Sequence, residues 1–393
     1  MKKYSLALFV SWQRIVFGVI AVITTTVVLL VHLSSLAPSL SPAERSTLAG
    51  SASLHDILAN PLNLPLKIVL WLAQTIHNDN LLSARLPSVL LAIFSLIIFI
   101  YVLRRWYGRR STIFGFSILL ASAWFLHISR FAGTDIEYFA AILTVLAVYI
   151  GLYDHDRPYM VYCWLIVNLI LLFIPGFVWF VLLSSIWHRD KFKNSWHMLK
   201  SVWQRTAWVA LGVVGLAALG FELIRSPRLF LPWLGLPSHF ASPVMLLRQL
   251  ADTFSAFVYH GPFDPQLWLG RLPLLDAFLS LMLVIGLIFY AQHWKATRTR
   301  LLLSYILLGI VLVSLGGPVR LSVIVPIIFI VIVAGIAYIL HFWLSVYPNN
   351  SLARTVGITV VSVAIGLSCF YNLQQYFVAW PHNPETVKVY RQP

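Results

Sequence analysis

The run 159-YMVYCWLIVNLILLFIPGFVWFVLLSSIW-187 decides how this chain is threaded. It carries no charged residue, and its one break is Pro175-Gly176. The run has two readings, one long helix or two short ones turning at that break. Nine other apolar runs, at 14–36, 82–103, 111–128, 136–153, 207–223, 274–292, 301–315, 321–343 and 355–373, are candidates to span a bilayer. About twenty residues cross a hydrocarbon core of roughly 30 Å, and the shorter runs call for tilt or local thinning.

Charge chooses between the two readings. Connections that stay in the cytoplasm collect Lys and Arg. With two crossings in 159–187, the N-terminus, 104–110, 154–158, 188–206, 293–300 and 344–354 share one side, which holds 17 of the 28 Lys and Arg but only 3 of the 13 acids. With a single crossing every later loop changes side, and the basic residues divide 15 against 13. The first arrangement orients the protein and the second does not. We therefore expect two short helices, each about 20 Å long, and an all-α polytopic bundle of about 11 transmembrane helices. The N-terminus is placed in the cytoplasm and the C-terminus outside, in the cell (plasma) membrane. The first run lacks a small-residue cleavage site and reads as a retained helix.

Composition agrees. The chain is 60% hydrophobic and 10% charged, with a mean hydropathy of +0.84, whereas a soluble domain is about a quarter charged. The net charge of +15 belongs to membrane topology and does not call for a nucleic-acid partner. Cys163 and Cys369 lie in apolar runs, and the histidines are scattered singly, so no disulfide framework or zinc motif is expected. No phosphate-binding G-x-x-x-x-G-K-[ST] loop is present. We treat 1–393 as a single integral membrane domain. Its substantial loops, 37–81, 224–272 and the tail 374–393, all fall outside, where an enzymatic function would lie.

The polar residues gather at the outer span ends. Ser41-Pro42-Ala43-Glu44 opens the first outer loop and has the spacing of a capping box, with proline at the first helical position. Ser53-Leu54-His55-Asp56 repeats it, and an amphipathic segment follows around 65–77. The same spacing leaves Glu44 at a water-accessible helix start, where a carboxylate can accept a proton. A second cluster, His127-Ile128-Ser129-Arg130-Phe131-Ala132-Gly133-Thr134-Asp135-Ile136-Glu137, combines two acids, an arginine and a histidine. Thr134 and Glu137 again have capping-box spacing, and a lone Arg130 would ordinarily snorkel to the interface. Arg85 and Arg320 stand at outer ends as well. The loop 224–272 carries Arg225, Arg228, Arg248, Arg271, His239 and His260, which suit lipid head groups or a carrier phosphate. The spans offer little polar at mid-depth beyond Asn168, which disfavours an ion-coupled transporter.

In order and topology these motifs resemble a known family. The outer loop with its acidic motif, L-S-A-R-L-P-S-V-L (82–90), R-R-W-Y-G-R-R (104–110), S-R-F-A-G-T-D (129–135), G-R-L-P-L-L-D (270–276), P-V-R-L-S-V-I-V-P (318–326) and Y-F-V-A-W-P (376–381) are similar to the protein O-mannosyltransferase and aminoarabinose-transferase superfamily. These are glycosyltransferase family 39-like enzymes of GT-C fold. The resemblance implies an inverting glycosyltransferase that moves a sugar from a polyprenyl-phosphate carrier to a protein, lipid or glycan acceptor on the outer face. It implies no certain cofactor beyond that donor and leaves a divalent metal open. It gives Glu44 and Asp135 catalytic roles, and makes Arg130, His127, Glu137, Arg85 and Arg320 candidates for substrate contact. The family's first-loop motif is usually an Asp-Glu pair, whereas this chain reads Ala43-Glu44. The alternatives are a lipid or solute transporter or flippase, and a non-catalytic descendant of the enzyme.

Overall fold

The structure is a computed structural model that describes residues 16, 18–76, 81–154, 158–196 and 201–390. The start of the first run at 14 and the last residues of the tail lie outside the described residues. Among those described, the regular elements are all helical. Several are long and apolar enough to cross a membrane, and shorter apolar helices lie between them; this is a multi-pass membrane protein.

The run that decides the threading folds as a hairpin of helices, as expected. α8 (Pro158–Leu171) and α9 (Phe177–Trp187) are joined by a turn at Pro175-Gly176. Gly176 sits at φ 77°, a left-handed conformation that glycine takes without steric cost. The turn is fastened from three directions. The Gly176 amide donates to the Trp233 carbonyl at 2.9 Å, and the Trp233 indole donates to the Leu172 carbonyl at 2.8 Å. The Tyr138 hydroxyl bridges the Pro175 and Pro318 carbonyls at 3.1 and 3.2 Å. Finally, the Asn63 amide donates to the Phe173 carbonyl at 2.8 Å. These bonds put the turn at the same end of the bundle as the first loop, the 224–272 loop and Pro318.

The first loop forms α2 (Pro42–Ala49), α3 (Leu54–Ala59) and α4 (Leu64–Ile76), close to the three pieces read from the caps and the amphipathic segment. The second and third runs share one helical element, α5 (Leu81–Ala121), broken at Gly108 (φ 79°, ψ −177°), where the basic turn was expected. Two runs depart from the prediction, one shortened and one interrupted. α1 (Gly18–Leu30) ends in turns near residue 31. The third run stops at Ser122 and restarts as α6 (Ala123–Ser129), because the Asn372 side chain takes the Ala123 amide at 3.2 Å.

α7 (Asp135–Asp154) and α16 (Val325–Val346) form the buried centre. α16 crosses α14 (Ala277–Gln292) closely, since a Cβ on Gly286 would lie 2.0 Å from the Val331 carbonyl. Small residues permit such backbone approach between membrane helices. α11 (Val202–Arg225) and α17 (Ser351–Gln374) expose most of their apolar surface. α13 (Pro243–Val258) lies in the 224–272 loop, α15 (Thr297–Ser314) precedes Pro318, and the tail ends in α18 (Pro384–Tyr390).

Candidate active site

The Ser41–Glu44 capping box forms as its spacing predicts. Glu44 accepts the Ser41 amide at 2.9 Å, and the Ser41 hydroxyl accepts the Glu44 amide at 3.2 Å. The expectation that Glu44 is open to water is corrected: its side chain is 0% exposed. Arg85 rises from the first turn of α5 and clamps the carboxylate through Nε at 2.9 Å and Nη2 at 3.2 Å, and the Ala132 amide adds a bond at 3.2 Å. The rest of the Arg85 guanidinium serves the carbonyls of Leu33, Ala37 and Ser39 at 2.9 to 3.0 Å. Glu44 and Arg85 thus lock the end of the first apolar run, α2 and the 127–137 cluster together.

Arg130 works alongside. Its guanidinium donates to the Val28 carbonyl at 3.3 Å and to Val31, and it lies over the rings of Tyr376 and Phe377. Arg130 thus caps the carbonyl end of α1, where a cation meets the helix dipole favourably, while Arg85 holds the turns that follow it. His127 is buried edge-on against Trp268, Tyr376 and Trp380. Snorkelling does not describe Arg130, which is 4% exposed.

The acids of the second cluster have partners of their own. The Glu137 carboxylate does not close a box with Thr134, because the Leu66 amide at the start of α4 reaches it at 3.2 Å. Asp135 accepts the Ser322 hydroxyl at 2.8 Å, and Ser322 accepts the Trp124 indole at 3.2 Å. Arg320, exposed, and Asp264, half-buried, lie near enough to act on the charge of Asp135. Glu44 is enclosed by its donors, and Asp135, also buried, is tied to Ser322 of the 320s turn.

The neighbourhood of Ala43 contains residues that sequence reasoning missed. The Ala43 amide donates to Gln266 Oε1 at 3.1 Å, and the Gln266 amide donates to Asp264 Oδ1 at 3.1 Å. The tail closes over this loop, with the Tyr390 hydroxyl donating to the Gln266 carbonyl at 2.9 Å and Ser39 donating to the Tyr390 carbonyl. Burial, with the charge of Glu44 adding to it, keeps the Tyr390 phenol well above its ordinary value, so it stays a donor. Asp264 was visible in the sequence as one of the outer acids. Nothing local marked it, since its relation to Ala43 spans more than two hundred residues.

Beside Leu321 a pocket of about 440 Å³ opens between α13, the turn after α15 and the loop 259–271. Arg248, Arg271, His260 and Asp252 line it and are all exposed. Among the described residues no group of three or more His, Cys, Asp or Glu side chains is placed to hold a metal ion.

The all-helical bundle has a GT-C-like membrane fold, shown by its likeness to solved structures. Two solved structures share it. ArnT from Cupriavidus metallidurans in the apo state is 15% identical, with a TM-score of 0.53 over 97% of this chain and 77% of that one. ArnT from the same organism bound to undecaprenyl phosphate is 16% identical, with a TM-score of 0.50 over 95% and 76%. No protein-family profile and no curated relative matches the sequence.

Proposed function

We propose that the protein is a membrane glycosyltransferase that uses a polyprenyl-phosphate-linked sugar, with its reaction at the end of the bundle that holds Glu44. The observation that carries this reading is the pocket lined by Arg248, Arg271, His260 and Asp252, whose wall includes Leu321, the chain neighbour of the Ser322 that bonds Asp135. A carrier phosphate fits there because arginine forks pair with phosphate oxygens. Charge develops on the departing phosphate in the transition state, where fixed cations lower the barrier most. Arg320 stands on the Asp135 side of the same turn. The fold shared with a protein that binds undecaprenyl phosphate supports a carrier of that chemistry.

The acceptor hydroxyl needs a base. Glu44 is enclosed by four donors, and we assign it, with Arg85, to hold the first loop against the bundle. Asp264 is half-buried and bonds through Oδ1 alone among the described residues, so its second oxygen is open to an acceptor. We assign Asp264 as proton acceptor and Asp135 as the acid that shapes the site beside it. Proton transfer to a positioned carboxylate contributes about 10²- to 10⁴-fold in rate.

The purified protein, incubated with undecaprenyl-phosphate-linked sugars and candidate acceptors, should release undecaprenyl phosphate. Arg248→Gln with Arg271→Gln should weaken binding of undecaprenyl phosphate, while Asp264→Asn should bind it and not transfer. Intact donor moved across the bilayer would make the protein a flippase, and neither movement nor cleavage would make it a non-catalytic relative.

A further inference from the structure

One cavity has no part in this reading. About 760 Å³ in volume, it lies at the opposite end of the bundle, between the second half of α5, α14, α16 and α17. Its mouth carries Arg109, Arg110 and His341, all exposed. Its walls are Ile113, Phe114, Phe289, Leu340, Leu344 and Ile358. No acidic side chain lines it.

Three other cations at this end are engaged. Arg105 pairs with Asp154, Arg298 lies over the rings of Trp106, Tyr107 and Tyr290, and Arg354 donates to the Pro348 carbonyl. Arg109 and Arg110 make no hydrogen bond or ion pair among the described residues. They also occupy the first turn after the break at Gly108, where the dipole of the restarting helix adds to their charge instead of offsetting it. An anion at the mouth relieves both repulsions.

We infer that this cavity binds one anionic phospholipid, with its phosphate on Arg109 and Arg110 and an acyl chain along Ile113, Leu344 and Ile358. The apolar walls suit a chain and not a nucleotide or other soluble anion. A second copy of this protein would bring a net charge of +15 against the same arginines. Basic pockets between membrane helices are a recurrent means of holding anionic head groups on the cytoplasmic side, the side to which the Lys and Arg bias assigns this end.

Native mass spectrometry of the detergent-solubilised protein tests the inference, with dioleoylphosphatidylglycerol titrated against dioleoylphosphatidylcholine. One phosphatidylglycerol should be retained about thirtyfold more tightly than phosphatidylcholine, as expected for two arginines near a head group. Arg109→Gln with Arg110→Gln should abolish the preference, and Leu344→Trp should weaken retention of both lipids by filling the acyl path. Arg104→Gln, exposed but outside the cavity, should change nothing. Equal retention of the two lipids by the wild type would overturn the proposal. So would a preference that survives the double substitution or falls equally with Arg104→Gln, or a dimer peak that replaces the lipid adduct.

Discussion

Glu44 shows how much a single residue's role depends on what lies far from it in the chain. The capping box was legible because its partners are three residues apart and its chemistry is local. Arg85 and Ala132 were not legible as its partners, since they stand 41 and 88 residues away and no spacing rule links them. With them in place the carboxylate is a buried bidentate ion pair. Removing one member of such a pair costs about 3–5 kcal/mol, because the other charge stays buried and unpaired. Arg85→Met should therefore lower the thermal midpoint of the detergent-solubilised protein sharply. Glu44→Gln should also lower it, since glutamine gives Arg85 one neutral oxygen in place of a charged fork. Arg130 with its own carbonyl contacts stays intact in both variants. If Glu44→Gln melted as wild type and yet lost all transfer, the holding role would be wrong and Glu44 would be the base.

At the scale of the element, the α8–α9 hairpin was read from charge counting and not from its own residues. Pro175-Gly176 allowed a turn, but the same residues can sit in a kinked helix, and only the distribution of Lys and Arg made the turn necessary. What the sequence concealed is how such short helices are held. Trp233, Tyr138 and Asn63 reach the turn from three separate parts of the chain and satisfy its exposed carbonyls. Unpaired backbone groups are costly away from water, so these bonds let the turn sit within the bundle end. Gly176→Ala tests the arrangement. A non-glycine residue in the left-handed conformation costs about 1–2 kcal/mol, and the added Cβ would meet Val319 at 2.6 Å. Lower thermal stability is expected, together with faster proteolysis in the 230–236 and 316–320 loops that pack on the turn. Unchanged stability would mean that the turn relaxes freely and that its three fastenings matter little.

For the whole molecule, the apolar runs and the charge bias were enough to read a polytopic bundle, because bilayer thickness and loop charge act on every residue alike. The site was less legible, because its parts come together only when the bundle closes. Asp135 and Ser322 are 187 residues apart, and Ala43 meets Gln266 across 223. Orientation remains the property on which the outer site depends. Arg298, stacked on Trp106, Tyr107 and Tyr290, gathers the 104–110 turn and the 293–300 connection at one end, away from Glu44. The bias of 17 Lys and Arg against 11 predicts that end to be cytoplasmic. Alkaline phosphatase fused after Pro393 should then be active in cells, and green fluorescent protein inserted at Lys295 should fluoresce. The reciprocal pair, phosphatase at Lys295 and fluorescent protein after Pro393, should both be silent. If the four reporters exchanged behaviour, the bundle would be inverted and the Arg248–Arg271 pocket would face the cytoplasm. A lipid-linked donor presented on the outer face could not then reach it, whatever its affinity.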